Sequence, residues 1–203
     1  TGRRVAERAE LWYFLNPARV DGKSVAAGDM MFVPAQAARD VAAVTDLHAV
    51  LVLVPGGPEG SIRAGALPTR ELGAIKTGIA GPVMLPASAA KQYCVGRGAQ
   101  PKCDPTETTI QLFAETKQLG ASVLAMRAEG RVPEHVHAGE TELLYVLSGT
   151  GVMTVNGVKL AVSATTVVQI PANTKHSFEA TADLRAIQIY TPGGPEQRFK
   201  AKP

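Results

Sequence analysis

The stretch "EHVHAGETELLYVLSG", residues 134 to 149, holds His135 and His137, two of the four histidines in the chain, and Glu142 just ahead of an apolar run. On a β-strand alternate side chains share a face, so imidazoles at i and i+2 point the same way and are spaced to share one ion. A Gly-containing segment separates His137 from Glu142 and suits a turn that returns the next strand beside the first. Glu142 then adds a hard carboxylate oxygen to two borderline nitrogens, a donor mix for divalent iron, manganese, nickel, zinc or copper. A bare His-x-His is more simply a coincidence of an exposed hairpin. Farther on, however, "PANTKHSF" sets His176 after a Pro-x-Asn turn at the start of another alternating segment. A third imidazole reaches the same point if that strand neighbours the first two.

Outward from this stretch the recurring signal is the short strand. "ELWYFL" (10 to 15), "DMMFVP" (29 to 34), "HAVLVLV" (48 to 54), "TIQLFAE" (109 to 115), "ASVLAMRA" (121 to 128), "ELLYVL" (142 to 147), "GVMTV" (151 to 155), "TVVQI" (166 to 170) and "LRAIQIY" (184 to 190) are rich in β-branched, leucine and aromatic residues. Turn-forming residues separate most of them, which predicts an all-β sandwich or barrel. "VNGV" at 155 to 158 is an Asn-Gly hairpin turn. Helical periodicity is weak, although propensity alone would favour helix in "VAERAELWYF" and "DVAAVTDL". The Pro- and Gly-rich segment 54 to 68 reads as a linker or long loop.

Residues 130 to 178 resemble the two signature motifs of the cupin superfamily. Gly130, His135, His137, Glu142 and Gly149 follow the first motif, with a spacer one residue short after Gly130. Pro171, Asn173 and His176 follow the second, with Asn173 in place of the turn glycine and Thr165 in place of the first glycine. The resemblance implies double-stranded β-helix (jelly-roll) barrels and one divalent metal held by His135, His137, Glu142 and His176.

The same frame recurs near the start of the chain. "RRVAERAELWYFLNP" lays Glu10 under Glu142, Tyr13 under Tyr145 and Leu15 under Leu147, but puts Arg3 and Val5 where the histidines stand. "GDMMFVPAQAARDV" lays Pro34 under Pro171 and Arg39 under His176. Arginine offers no lone pair and valine no donor atom, so this copy is expected to hold no metal. The expectation is two cupin barrels in one chain: a degenerate one over 1 to 60 that lacks its opening strands, and a metal-binding one over 108 to 203. The segment 61 to 107 is expected to link them or to complete a barrel. Arg3 and Arg39 suggest an anion pocket in the first copy, unless they face solvent or pair with Glu10. Strand exchange, common in the superfamily, implies a possible homodimer.

At 203 residues the chain is long enough for one large domain or two small ones with real cores. Apolar residues make up 45% and charged residues 19%, the balance of an ordinary globular protein. A net charge of +3 and the cluster Arg3, Arg4, Arg8, with no aromatic interleaving and no nucleic-acid motif, argue against a nucleic-acid partner. The longest apolar run, "AVLVLV" at 49 to 54, is strand-sized, so no membrane-spanning helix is expected. The sequence opens on Thr1 rather than Met, which suggests a removed upstream segment. Cys94 and Cys103 flank the turn-rich "VGRGAQPK" and can meet as a disulfide. That reading favours a periplasmic or secreted protein; free thiols in the cytoplasm are the alternative.

Three histidines and one glutamate leave coordination positions open, which distinguishes a catalytic from a structural metal. A dioxygenase-like enzyme acting on a small organic molecule is the leading reading, with Glu142 as ligand and catalytic base. A cupin isomerase and a non-catalytic binding, storage or sensor barrel are the alternatives. Leu144 and Val146, on the face of Glu142, make an apolar wall that suits a modest organic ligand better than a phosphorylated sugar.

Overall fold

The computed structural model describes residues 3–54, 81–95 and 103–200, together with the backbone of 69–70 and 98–99. The long loop expected at 54 to 68 falls, apart from Val54, outside the described residues. Among the described residues regular structure is all-β apart from two short 3-10 helices, Ala87–Ala89 and Pro195–Phe199. The chain divides into two compact units, Thr1–Ala89 and Ala90–Pro203.

In the C-terminal unit a seven-stranded sheet runs, in spatial order, through Gly98–Ala99, Lys91–Cys94, Thr109–Glu115, Gly120–Met126, Leu184–Thr191, Thr141–Ser148 and Val167–Ile170. A second sheet of four strands runs Arg131–His135, His176–Ala180, Thr150–Val155, Val158–Ser163. Thr141–Ser148 alternates strictly: Glu142, Leu144 and Val146 are buried. Leu144 and Val146 join Ile110, Leu124 and Met126 of the same sheet and Met153, Val162 and Phe178 of the other in one apolar core. Such alternation is what a half-buried antiparallel strand requires, and it fixes the register that carries Glu142 inward.

Every strand read from the sequence is present, with ends shifted by a residue or two. The strands inferred around His135 and His176 are Arg131–His135 and His176–Ala180. Val158–Ser163, which is largely exposed, is among the strands that the sequence reading missed.

The N-terminal unit has its own core around Trp12, Phe14, Met31 and Val33. Ala9–Phe14, where propensity would tolerate a helix, is a strand buried along its whole length. Its pairing repeats that of the C-terminal unit residue for residue. Glu10 lies opposite Val33 and Leu53, as Glu142 lies opposite Ile170 and Tyr190. Asp21-Gly22 and Asn156-Gly157, all at positive φ, close equivalent two-residue hairpins. Gln36 and Asn173 share a left-handed φ of 68° and 60°, and their amides donate to the carbonyls of Ala6 and His137. The frames part after that turn. Val41 faces Val20 as His176 faces Val155, so the N-terminal copy is two residues longer there and Arg39 stands short of the place of His176. Val83–Leu85 pairs antiparallel with Met30–Val33 at the edge of the N-terminal sheet.

Candidate metal centre

His135 ends the strand Arg131–His135, His176 opens the strand it pairs with, and the two face each other in the ladder. His137 lies just past the first strand, and Glu142 comes from the facing sheet. One candidate ligand atom from each of the four lies within 4.8 Å of the others. The ring centroids of His135 and His176 are 4.1 Å apart, and those of His135 and His137 4.9 Å.

The hydrogen bonds define which nitrogens face inward. His135 Nδ1 donates to the carbonyl of Pro133 at 2.8 Å and His176 Nδ1 to that of Thr174 at 2.9 Å. A carbonyl only accepts, so both Nδ1 atoms carry a hydrogen and each neutral ring turns its Nε2 lone pair inward. His135 Nε2 is buried and has no hydrogen-bond partner among the described residues. Glu142 Oε2 lies 3.2 Å from both His137 Nε2 and His176 Nε2. Lone pairs packed this closely repel unless a cation lies among them, either a shared proton or a metal ion.

The electrostatics agree. Burial pushes the Glu142 carboxyl up, but hydrogen bonds from His137, His176 and Gln188 outweigh it and hold the group down at about 2. Burial lowers the His176 imidazole, yet the hydrogen bond and charge of Glu142 together with the bond to the Thr174 carbonyl outweigh that and leave it above its ordinary value. His135 goes the other way: burial depresses it, the Pro133 carbonyl opposes, and the charges of His176 and Arg198 add to the depression. His135 is therefore more readily free of its proton than His176.

Gln188, which the sequence reading missed, donates from Nε2 to Glu142 Oε1 at 2.7 Å and leaves Oε2 facing the histidines. It sits on Leu184–Thr191, a strand read only as an apolar run, where nothing singled out one glutamine. Tyr190 packs edge-on against His137 at 5.1 Å. Arg131 and Arg198 both line an adjoining cavity of about 270 Å³. Arg198 comes from the 3-10 helix after the last strand, outside any motif. Lys175, beside His176, points outward toward Glu134.

Residues 122–190 match the cupin domain family. The C-terminal unit thus carries a cupin domain. Among solved structures, the chain is similar to a predicted oxalate decarboxylase from Thermotoga maritima, 21% identical over 54% of this chain and 99% of that one, TM-score 0.47. It is also similar to an RmlC-like cupin from Shewanella frigidimarina, 16% identical over 54% and 90% of the two chains, TM-score 0.46. A third is KdgF from a Halomonas species, 21% identical over 47% and 87%, TM-score 0.44. No curated protein matches the sequence. The cupin stretch contains all four clustered residues, whereas in the N-terminal unit Glu10 has a different partner. Arg39 donates to both its carboxylate oxygens at 2.6 Å, and Trp12 Nε1 adds a third bond at 2.7 Å. Both charged groups are buried, so Arg39 is committed to Glu10 instead of forming half of an anion pocket with the exposed Arg3.

Cys94 and Cys103 are joined as a disulfide. No described helix is long and apolar enough to cross a membrane.

Proposed function

We propose that the cupin domain binds one divalent transition metal through His135, His137, Glu142 and His176, and that the chain is a metal-dependent, dioxygenase-like enzyme acting on a small organic molecule. The observation that carries the metal reading is His135 Nε2, a buried lone pair with no donor among the described residues, aimed where two more imidazoles and a carboxylate meet. Iron, manganese, nickel, zinc and copper all suit this donor set. A metal there would supply Lewis acidity and open positions for a chelating substrate, and with a redox-active ion it would also bind dioxygen. The chain's own contribution is to hold the His135 and His176 rings by backbone carbonyls and to fix Glu142 through Gln188. Glu142 thereby presents Oε2 as the ligand atom, and it acts as a base only when that oxygen is released.

The repeated register supports reading the chain as two cupin barrels, with the buried Glu10–Arg39 pair standing in the N-terminal one where the other gathers ligands. The disulfide supports a periplasmic or secreted setting. A homodimer belongs to the same reading, and its mass by light scattering tests it.

Metal analysis of protein purified without chelator, followed by oxygen uptake against diketone, flavonol and catechol panels, tests the function. Stoichiometric metal with oxygen consumption on one panel is the expected result. Stoichiometric metal with neither oxygen consumption nor substrate turnover leaves a binding or isomerase role and removes the dioxygenase.

A further inference from the structure

We propose that the cavity beside the cluster seats a small monocarboxylate with an apolar body, its carboxylate on Arg198; this rests on the metal reading above. The cavity, at about 270 Å³, lies at the small end of ligand pockets. Ile110, Leu124, Met126, Val132 and Phe199 give it apolar walls. Among the described residues no acidic side chain lines it, while two arginines do.

The two arginines differ in what they already hold. Arg131 is paired with Glu179 at 2.8 Å. Arg198 has no carboxylate partner among the described residues: it donates to Tyr190 Oη at 2.9 Å and lays its guanidinium over the rings of Phe199, at 4.9 Å, and Tyr190, at 5.8 Å. Stacking fixes the plane of the guanidinium and occupies few of its five N–H donors, so a fork remains for a planar carboxylate. One uncommitted cation, the single one among the described lining residues, set against apolar walls balances one negative charge better than the two of a phosphate.

The position of Gln188 connects this cavity to the metal cluster. It lines the cavity and its amide bonds Glu142. A ligand anchored at Arg198 and lying along the apolar walls past Gln188 therefore presents its other end to the cluster. Arg198 sets which molecules enter and how they point. It is a specificity residue, separate from the ligands.

The test uses the full chain loaded with zinc and titrated by calorimetry with benzoate, with its uncharged analogue benzamide, and with inorganic phosphate. Benzoate is expected to bind once per chain, and at least about tenfold more tightly than either of the others. Arg198→Met should weaken benzoate by about ten- to a hundredfold, the scale of a lost charge-assisted pair, and Arg198→Lys should recover part of it. Because Arg198 is exposed, unfolding temperature and zinc content should stay at wild-type values in both variants. Arg198→Met binding benzoate within about twofold of wild type would overturn the proposal. So would benzamide or phosphate binding as tightly as benzoate, or benzoate not binding at all. Zinc content in the same samples separates the two claims. A chain that takes up no zinc yet binds benzoate through Arg198 sinks the metal reading and keeps the carboxylate seat.

Discussion

Gln188 holds Glu142 by one oxygen and leaves the other to the histidines, through a 2.7 Å hydrogen bond between buried side chains on neighbouring strands. In the N-terminal unit Leu51 occupies the matching ladder position opposite Trp12, as Gln188 does opposite Leu144. Outer partners of this kind typically set ligand orientation and are worth about ten- to a hundredfold in metal affinity. Gln188→Leu, which copies the N-terminal residue, should lower zinc affinity by about that factor in competition with a chromophoric chelator.

Removing ligands should remove the metal itself. The double variant His135→Ala/His137→Ala takes away two of four donors and is expected to hold less than about a tenth of the wild-type metal after desalting. Full metal content in that variant, measured by atomic emission, would show that the ion sits elsewhere.

Metal affinity should depend on pH in a set direction. A proton shared by His176 and Glu142 competes with the metal, and the His176 pKa lies above its ordinary value because the bond and charge of Glu142, with the Thr174 carbonyl, together outweigh burial. Affinity should therefore climb by about tenfold per pH unit below the His176 pKa and level off above it. In metal-free protein the signs follow the same shifts. The His176 contribution to stability is fully present below its unfolded pKa and is lost as pH rises through the raised folded value. The Glu142 contribution is present above the ordinary carboxylate value and is lost as pH falls toward about 2. A zinc affinity flat from about pH 5 to 8 would contradict this account.

Gly149, at φ 86°, has no room for a side chain: a Cβ would run into the Asp183 carbonyl and lie 2.7 Å from Leu184 Cα. Gly149→Ala should cost about 2 kcal/mol or more in chemical denaturation. Thr165 is the converse, a β-branched residue at φ 71° where the N-terminal copy has Gly28 at φ 90°. Thr165→Gly should gain about 1 kcal/mol, since the relieved left-handed strain exceeds the added chain entropy.

The buried Glu10–Arg39 pair should behave as a unit. Arg39→Met alone strands a buried carboxylate and is expected to destabilise the chain by about 3 to 5 kcal/mol, whereas Glu10→Leu/Arg39→Met together should cost far less. Additive losses in the double-variant cycle would show that the two are not coupled.

Much of this molecule is legible along the chain, because its information is local. Alternation in "ELLYVL" determines which side chains turn inward, so Glu142, Leu144 and Val146 were placed together before any partner strand was known. The spacing of His135, His137, Glu142 and His176 and the recurrence of Glu10 in the same frame were likewise readable, and Asn156-Gly157 marked its own turn. Only the tertiary structure decided the rest. Gln188 and Arg198 belong to no motif and matter through which strand or helix lies beside the cluster. Arg39 is spoken for by Glu10 through a contact spanning 29 residues of chain. The sequence by itself determined which residues face inward and which of them are donors. The packing of non-adjacent strands decided whether each donor meets a proton, a partner charge or an open cavity, because those energies depend on distances through space that no spacing along the chain encodes.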